Sequence, residues 1–132
     1  MNEADFATEV YDLLRRFDWR WTHFRPGLTQ KGWRTPLTGD PGFPDIIAVR
    51  ASPPVVIPPK VQQAGHETES LSHYVTLPAP QARLLVIELK STRGKLTQAE
   101  EEWLAYFKAA GVETYLWRPD DPGLEAMVEV LR

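Results

Sequence analysis

Cysteine is absent from this 132-residue chain, which excludes a disulfide framework and a thiolate metal site and makes a cytoplasmic protein the expectation. Histidine is scarce. With only His23, His66 and His73 present, an imidazole-rich zinc site is not expected, and oxygen donors are left as the means of holding a cation. No run approaches the ~20 apolar residues of a membrane span, and no signal-peptide pattern opens the chain. A surplus of positive charge is missing too: the formal net charge is −3, which by itself argues weakly against nucleic acid. Length and apolar content suit one compact domain over residues 1–132 with a core of its own.

The distribution of charge says more than its sum. Arg15, Arg16, Arg20, Arg25, Lys31 and Arg34 stand against Asp18 alone, so residues 15–34 carry +5 and the remainder −8. Trp19, Trp21, Phe24 and Trp33 are interleaved with them. Such a segment suits phosphate contact and base stacking. It equally suits a strand whose aromatics fill the core and whose arginines are solvated.

The chain is organised around residues 83–95, Arg-Leu-Leu-Val-Ile-Glu-Leu-Lys-Ser-Thr-Arg-Gly-Lys. The apolar opening reads as a strand covered on both faces. Glu88 and Lys90 are two residues apart, so both point to one face of it. A buried carboxylate without compensation costs several kcal/mol. An ion pair between the two is one way to meet that cost; a divalent cation, with Lys90 left for an anion, is the other. Residues 39–50 bear on the choice: a Gly- and Pro-rich lead-in ends in Pro44-Asp45 and an apolar strand. An acid at one strand mouth with Glu-x-Lys on a neighbouring strand suits metal-assisted phosphodiester hydrolysis. Carboxylates hold a hard cation, and a lysine stabilises charge or orients water.

Around these strands the periodicity predicts a helix over 3–17, with Phe6, Val10, Leu13, Leu14 and Phe17 on one face. On a helical wheel Glu3 lies within about 40° of that face's centre. It is read either as compensation of the helix dipole or as a third site carboxylate. Residues 18–24 read as a strand and residues 25–43 as a long loop. Residues 51–80, rich in proline, read as an insertion in which Val55 to Ile57 and Tyr74 to Leu77 could pair as a hairpin. A second helix is expected from Gln98 to Ala110, with Trp103, Leu104, Phe107 and Ala110 on its apolar face. Thr97 and Glu100 make a capping box, so Glu100 is read as a cap or as a group beside the site. A strand from Glu113 to Trp117 and a helix from Leu124 to Leu131 follow. The order gives an α/β sandwich on a mixed sheet.

Pro44-Asp45 followed by Glu88-Leu89-Lys90 is similar to the PD-(D/E)xK nuclease signature. With Glu3-Ala-Asp-Phe, Trp19 to Pro26, Gly42-Phe43-Pro44-Asp45, Gly94-Lys95-Leu96-Thr97 and residues 111–120, the chain resembles the virus-type replication-repair nuclease (VRR-NUC) family, particularly its small stand-alone phage members. The resemblance covers nearly the whole chain except the insertion. It implies a restriction-endonuclease-like fold, a mixed β-sheet flanked by helices, and a Mg²⁺- or Mn²⁺-dependent endonuclease. The DNA is expected to be branched, the working unit a homodimer, and the setting the cytoplasm of a bacterial or phage-infected cell. Asp45, Glu88 and the Leu89 carbonyl would be metal ligands, Lys90 the catalytic lysine and Glu3 the helix-borne acid. DNA contacts are expected from Arg20, Arg25, Lys31, Arg34, Arg93 and Lys95. The family often has glutamine where Glu100 stands, a departure that adds charge beside the metal or leaves a cap. Two alternatives remain: a non-catalytic DNA-binding or assembly module, and a restriction-type enzyme.

Overall fold

The computed structural model describes residues 1–25, 27–30, 32–34, 37–51 and 82–132, the side chains at 27–29, 33 and 34 excepted. Two compact units are distinguished, Met1–Val49 with Leu84–Arg132, and Arg50–Arg83. The hairpin expected within 51–80 lies outside the described residues.

Helix α1 spans Glu3–Arg16. Asn2 starts it, its side chain accepting the Asp5 N–H at 2.8 Å. Phe6, Val10, Leu13 and Leu14 are buried as their spacing predicts. Strand β1 (Arg20–His23) follows. Next, residues expected to be loop instead form a small hairpin, β2 (Gly27–Thr29) with β3 (Gly32–Arg34). Its pairs are Gly27↔Arg34, Leu28↔Trp33 and Thr29↔Gly32. The glycines that suggested a loop instead bound two short strands, and Gly32 takes φ +97° at the reversal. The chain continues through β4 (Ile46–Arg50), β5 (Arg83–Leu89), α2 (Gln98–Ala109), β6 (Glu113–Trp117) and α3 (Leu124–Leu131).

The main sheet has the order β1-β4-β5-β6. β1 runs antiparallel to β4 and β5 parallel to β6, so the sheet is mixed. Leu85, Ile87 and Leu89 join Ile46 and Ala48 in one core with Phe6, Val10 and Leu14 of α1 and Met127 and Leu131 of α3. Leu85 through Leu89 are all buried. That is why the strand reads as a continuous apolar run rather than an alternating one. The indole of Trp19, buried at the approach to β1, donates to the Leu131 carbonyl at 2.9 Å and so ties the two ends of the core together. On α2 only Leu104 is buried; Trp103 and Phe107 are half-buried. Ala110, expected on the apolar face, is the exposed C-cap of a helix that ends at Ala109. Among the described residues no helix is long and apolar enough to cross a membrane.

Candidate active site

Asp45 immediately precedes β4, and the segment leading into it is fastened to α2. Gly42 packs so closely on that helix that a Cβ there would lie 2.6 Å from the Ala99 carbonyl carbon, and its φ is +92°. The Trp103 indole donates to the Pro41 carbonyl at 3.0 Å. Phe43 meets Phe24, Trp103 and Phe107 edge-on. Pro44 is buried. Asp45 is held from both sides. Its carbonyl accepts the Phe24 N–H at 2.8 Å, and its Oδ2 accepts the Leu89 N–H at 2.7 Å. This last bond sets the acid against the end of β5, between Glu88 and Lys90.

Glu88 is 2% exposed. As the strand period requires, it faces away from the Leu85, Ile87 and Leu89 side of β5, on the face it shares with Lys90. Lys90 Nζ lies 3.2 Å from Glu88 Oε1 and 2.8 Å from Glu100 Oε2. Glu100 divides its work: Oε1 accepts the Thr97 N–H at 2.8 Å, closing the capping box, while Oε2 takes the lysine. Capping the helix and contacting Lys90 are therefore not exclusive. One carboxylate does both.

The electrostatics are uneven. Burial, the hydrogen bond with Glu100 and the charges of Asp45 and Glu100 push the Glu88 carboxyl up to about 9 against the opposing pull of Lys90. Burial works in the same direction on Glu100, but hydrogen bonds from Glu88, Lys90 and the Thr97 N–H outweigh it and bring that carboxyl down to about 2. Burial and the neighbouring acids thus favour the protonated form of Glu88, while the hydrogen bonds favour the ionised form of Glu100. Burial alone lowers the Lys90 pKa, yet its bonds to Glu100 and Glu88 raise it overall, so the ammonium stays charged. Buried side-chain nitrogens and oxygens among the described residues all have partners.

On the other side of Asp45 stand His23 and Tyr11, neither of which was expected among the site residues. His23 Nε2 is 3.7 Å from Asp45 Oδ1, and the Tyr11 hydroxyl hydrogen-bonds His23 Nδ1. Tyr11 stacks on Trp21 at 4.5 Å with 12° between the rings. The available signal was the alternation in β1, which puts Trp21 and His23 on one face. The partner on α1 is set only by helix docking.

The remaining expected residues are dispersed. Glu3 lies in the first turn of α1 and is exposed, not turned inward; no described hydrogen bond or ion pair joins it to Asp45, Glu88 or Lys90. Core contact begins one turn later, at Phe6. Arg20, Arg25, Arg93 and Lys95 are exposed. Lys31 lies outside the described residues, and Arg34 is described only in its backbone. Of the interleaved aromatics, Trp19 is core, Trp21 is covered by Tyr11 with Arg15 5.4 Å above its ring, and Phe24 packs on Phe43. Their packing roles favour the reading of a strand with solvated arginines. The turn after Lys90 is braced by Arg118, which donates to the Ser91 carbonyl at 2.9 Å and to that of Gly94. Among the described residues no group of three His, Asp or Glu side chains forms a ready cation site. Comparison with protein-family models, with curated proteins and with solved structures gives no match.

Proposed function

We propose that this chain is a metal-dependent DNA endonuclease of the PD-(D/E)xK type, a relative of the VRR-NUC family, acting on branched DNA by water attack on a phosphodiester. One observation carries the reading: Asp45 is bonded to the backbone of Leu89, between a buried Glu88 and a charged Lys90. The coarse architecture, a four-stranded mixed sheet with flanking helices, is compatible with it.

The donor set suits Mg²⁺ or Mn²⁺. Asp45, Glu88 and the Leu89 carbonyl offer only hard oxygen, and Mg²⁺ is commonly held by one or two carboxylates together with water and substrate phosphate. The strain on Glu88 points the same way, since a buried carboxyl crowded by two other acids is relieved when a cation takes the place of its proton. When bound, such a cation polarises the phosphate and lowers the pKa of an attacking water. Glu3, exposed, is the weakest member of the proposed ligand set.

The chain's own groups do the rest. Lys90, kept protonated by its two acids, serves as a hydrogen-bond donor and a positive charge at the reacting phosphate rather than as a base. Glu100 fixes that ammonium in place. Exposed Arg20, Arg25, Arg93 and Lys95 would contact flanking phosphates, supplying affinity without sequence information. Dimerisation and the preference for branched DNA rest on the resemblance alone.

A second reading has an observation in its favour. Lys90, Glu88 and Glu100 satisfy one another, as they would in a non-catalytic DNA-binding module with an internal ionic brace. A restriction-type enzyme would need a recognition element, for which residues 51–80 are the available segment. Labelled four-way junction, flap, single-stranded and duplex DNA, each with Mg²⁺, Mn²⁺ or EDTA, separate these readings. Metal-dependent incision of branched substrates, lost in Asp45→Ala and Glu88→Ala, supports the nuclease. Binding without incision under every condition overturns it in favour of the module, and sequence-dependent cutting of plain duplex indicates the restriction type.

A further inference from the structure

Asp45 has two carboxylate oxygens, and only one is accounted for by β5. Oδ2 is tied to the Leu89 N–H at 2.7 Å; Oδ1 faces His23 Nε2 at 3.7 Å. That separation is beyond a direct hydrogen bond but close enough for the imidazole to bias which way the carboxylate turns. The imidazole is itself fixed. Tyr11 meets its ring edge-on at 5.6 Å and bonds Nδ1 through the hydroxyl. Tyr11 is pinned by stacking on Trp21. Trp21 and His23 are alternate residues of one strand, so a single docking of α1 on β1 places both.

The direction of the Tyr11 bond follows from its partners. The phenol keeps its proton, since burial raises its pKa against the opposing pull of the Arg25 charge, and Nδ1 can accept that proton. With the phenol as donor, Nδ1 is the acceptor and the ring's proton sits on Nε2. An N–H at Nε2 cannot ligate a metal; it can only donate toward Asp45. Tyr11 and His23 then both direct a proton toward Asp45, the first through a hydrogen bond and the second across 3.7 Å.

We propose that Tyr11 and His23 are positioning residues that set the orientation of the Asp45 carboxylate for a divalent cation, His23 acting as a donor to Asp45 and not as a ligand. This rests on the reading of Asp45 as a metal ligand. Groups that orient a ligand from behind typically change metal affinity or activity by roughly 10- to 100-fold when removed.

The test is Mn²⁺ binding by isothermal titration, beside the Mn²⁺ dependence of incision. It compares wild type, Tyr11→Phe, His23→Ala, His23→Gln and Asp45→Ala, with circular dichroism confirming the fold of each. Tyr11→Phe keeps the stack on Trp21 and removes only the hydroxyl. Expected are Mn²⁺ affinities about 10-fold weaker in Tyr11→Phe and His23→Ala, with maximal incision at saturating Mn²⁺ near that of wild type. His23→Gln, whose amide N–H reaches about as far as Nε2–H, should recover most of the loss. Binding lost in Asp45→Ala but unchanged in Tyr11→Phe and His23→Ala overturns the positioning role and leaves the nuclease reading standing. Loss in His23→Ala with none in Tyr11→Phe and no recovery in His23→Gln overturns it also, and makes the ring a ligand. Failure of the wild-type protein to bind Mn²⁺ overturns the nuclease reading together with it.

Discussion

Replacing Glu88 by glutamine should make the metal-free protein more stable at neutral pH. In an unfolded chain this carboxyl titrates near its ordinary 4.5, and in the fold it is pushed up to about 9. Between those values the native state holds a proton that the unfolded state has lost. Stability contributed by this group is therefore fully present below pH 4.5 and falls as pH rises toward 9. From pH 4.5 to 7 the loss amounts to about 3 kcal/mol, at roughly 1.4 kcal/mol for each pH unit. Glu100 does not blur the window. Its carboxyl is brought down to about 2, so its contribution is present above pH 4.5 and disappears only in acid. Glutamine cannot ionise, yet its amide can still donate to Glu100. Allowing for the fit of the amide between Lys90 and Glu100, Glu88→Gln should gain about 1 to 3 kcal/mol at pH 7.5. Urea denaturation in EDTA at pH 5.5, 6.5, 7.5 and 8.5 measures this. Wild type should weaken steadily across the series while Glu88→Gln stays nearly level. A variant that is destabilised at every pH, with the wild-type slope intact, would refute the assignment of the strain to Glu88.

Lys90→Ala should cut turnover steeply while leaving Mn²⁺ affinity largely intact, and should cost about 2 kcal/mol of stability because Glu100 loses its cationic partner; concurrent loss of Mn²⁺ binding would move Lys90 from catalysis to assembly of the site. Gly42→Ala should lower stability by about 2 kcal/mol or more, since its Cβ would meet the α2 backbone at 2.6 Å from a φ of +92°. Thermal denaturation checks it, and an unchanged midpoint would contradict the close approach. Arg20→Glu and Arg93→Glu, both at exposed positions, should weaken DNA binding and each reduce the salt slope by about 1; unchanged slopes in fluorescence-anisotropy titrations would remove these residues from the interface.

What could be read from the residues was whatever depended on one element at a time. The period of α1, the continuous run in β5 and the capping box at Thr97 each needed only local spacing, and each lies where expected. Asp45, Glu88 and Lys90 came from a strand mouth and strand alternation, and the structure gathers them. Glu3 shows where such reasoning stops. A wheel gives direction around the helix axis but not whether any element lies opposite that turn, and burial on α1 starts only at Phe6. Glu100 could not be resolved because two sound readings competed for one side chain that has two oxygens. The Tyr11–His23 contact joins α1 to β1, and the hairpin within 25–43 depends on pairing rather than on Gly27 and Gly32, which begin its two strands. Both are products of docking.

The most direct test is single-turnover incision of a labelled four-way junction by wild type and Glu88→Gln, in Mg²⁺ and in EDTA, on protein whose stability has been measured in the same buffer. Wild type should cut only with Mg²⁺, and Glu88→Gln, though the more stable protein, should not cut. Equal cutting by both, or a Glu88→Gln variant that loses stability along with activity, would contradict that expectation.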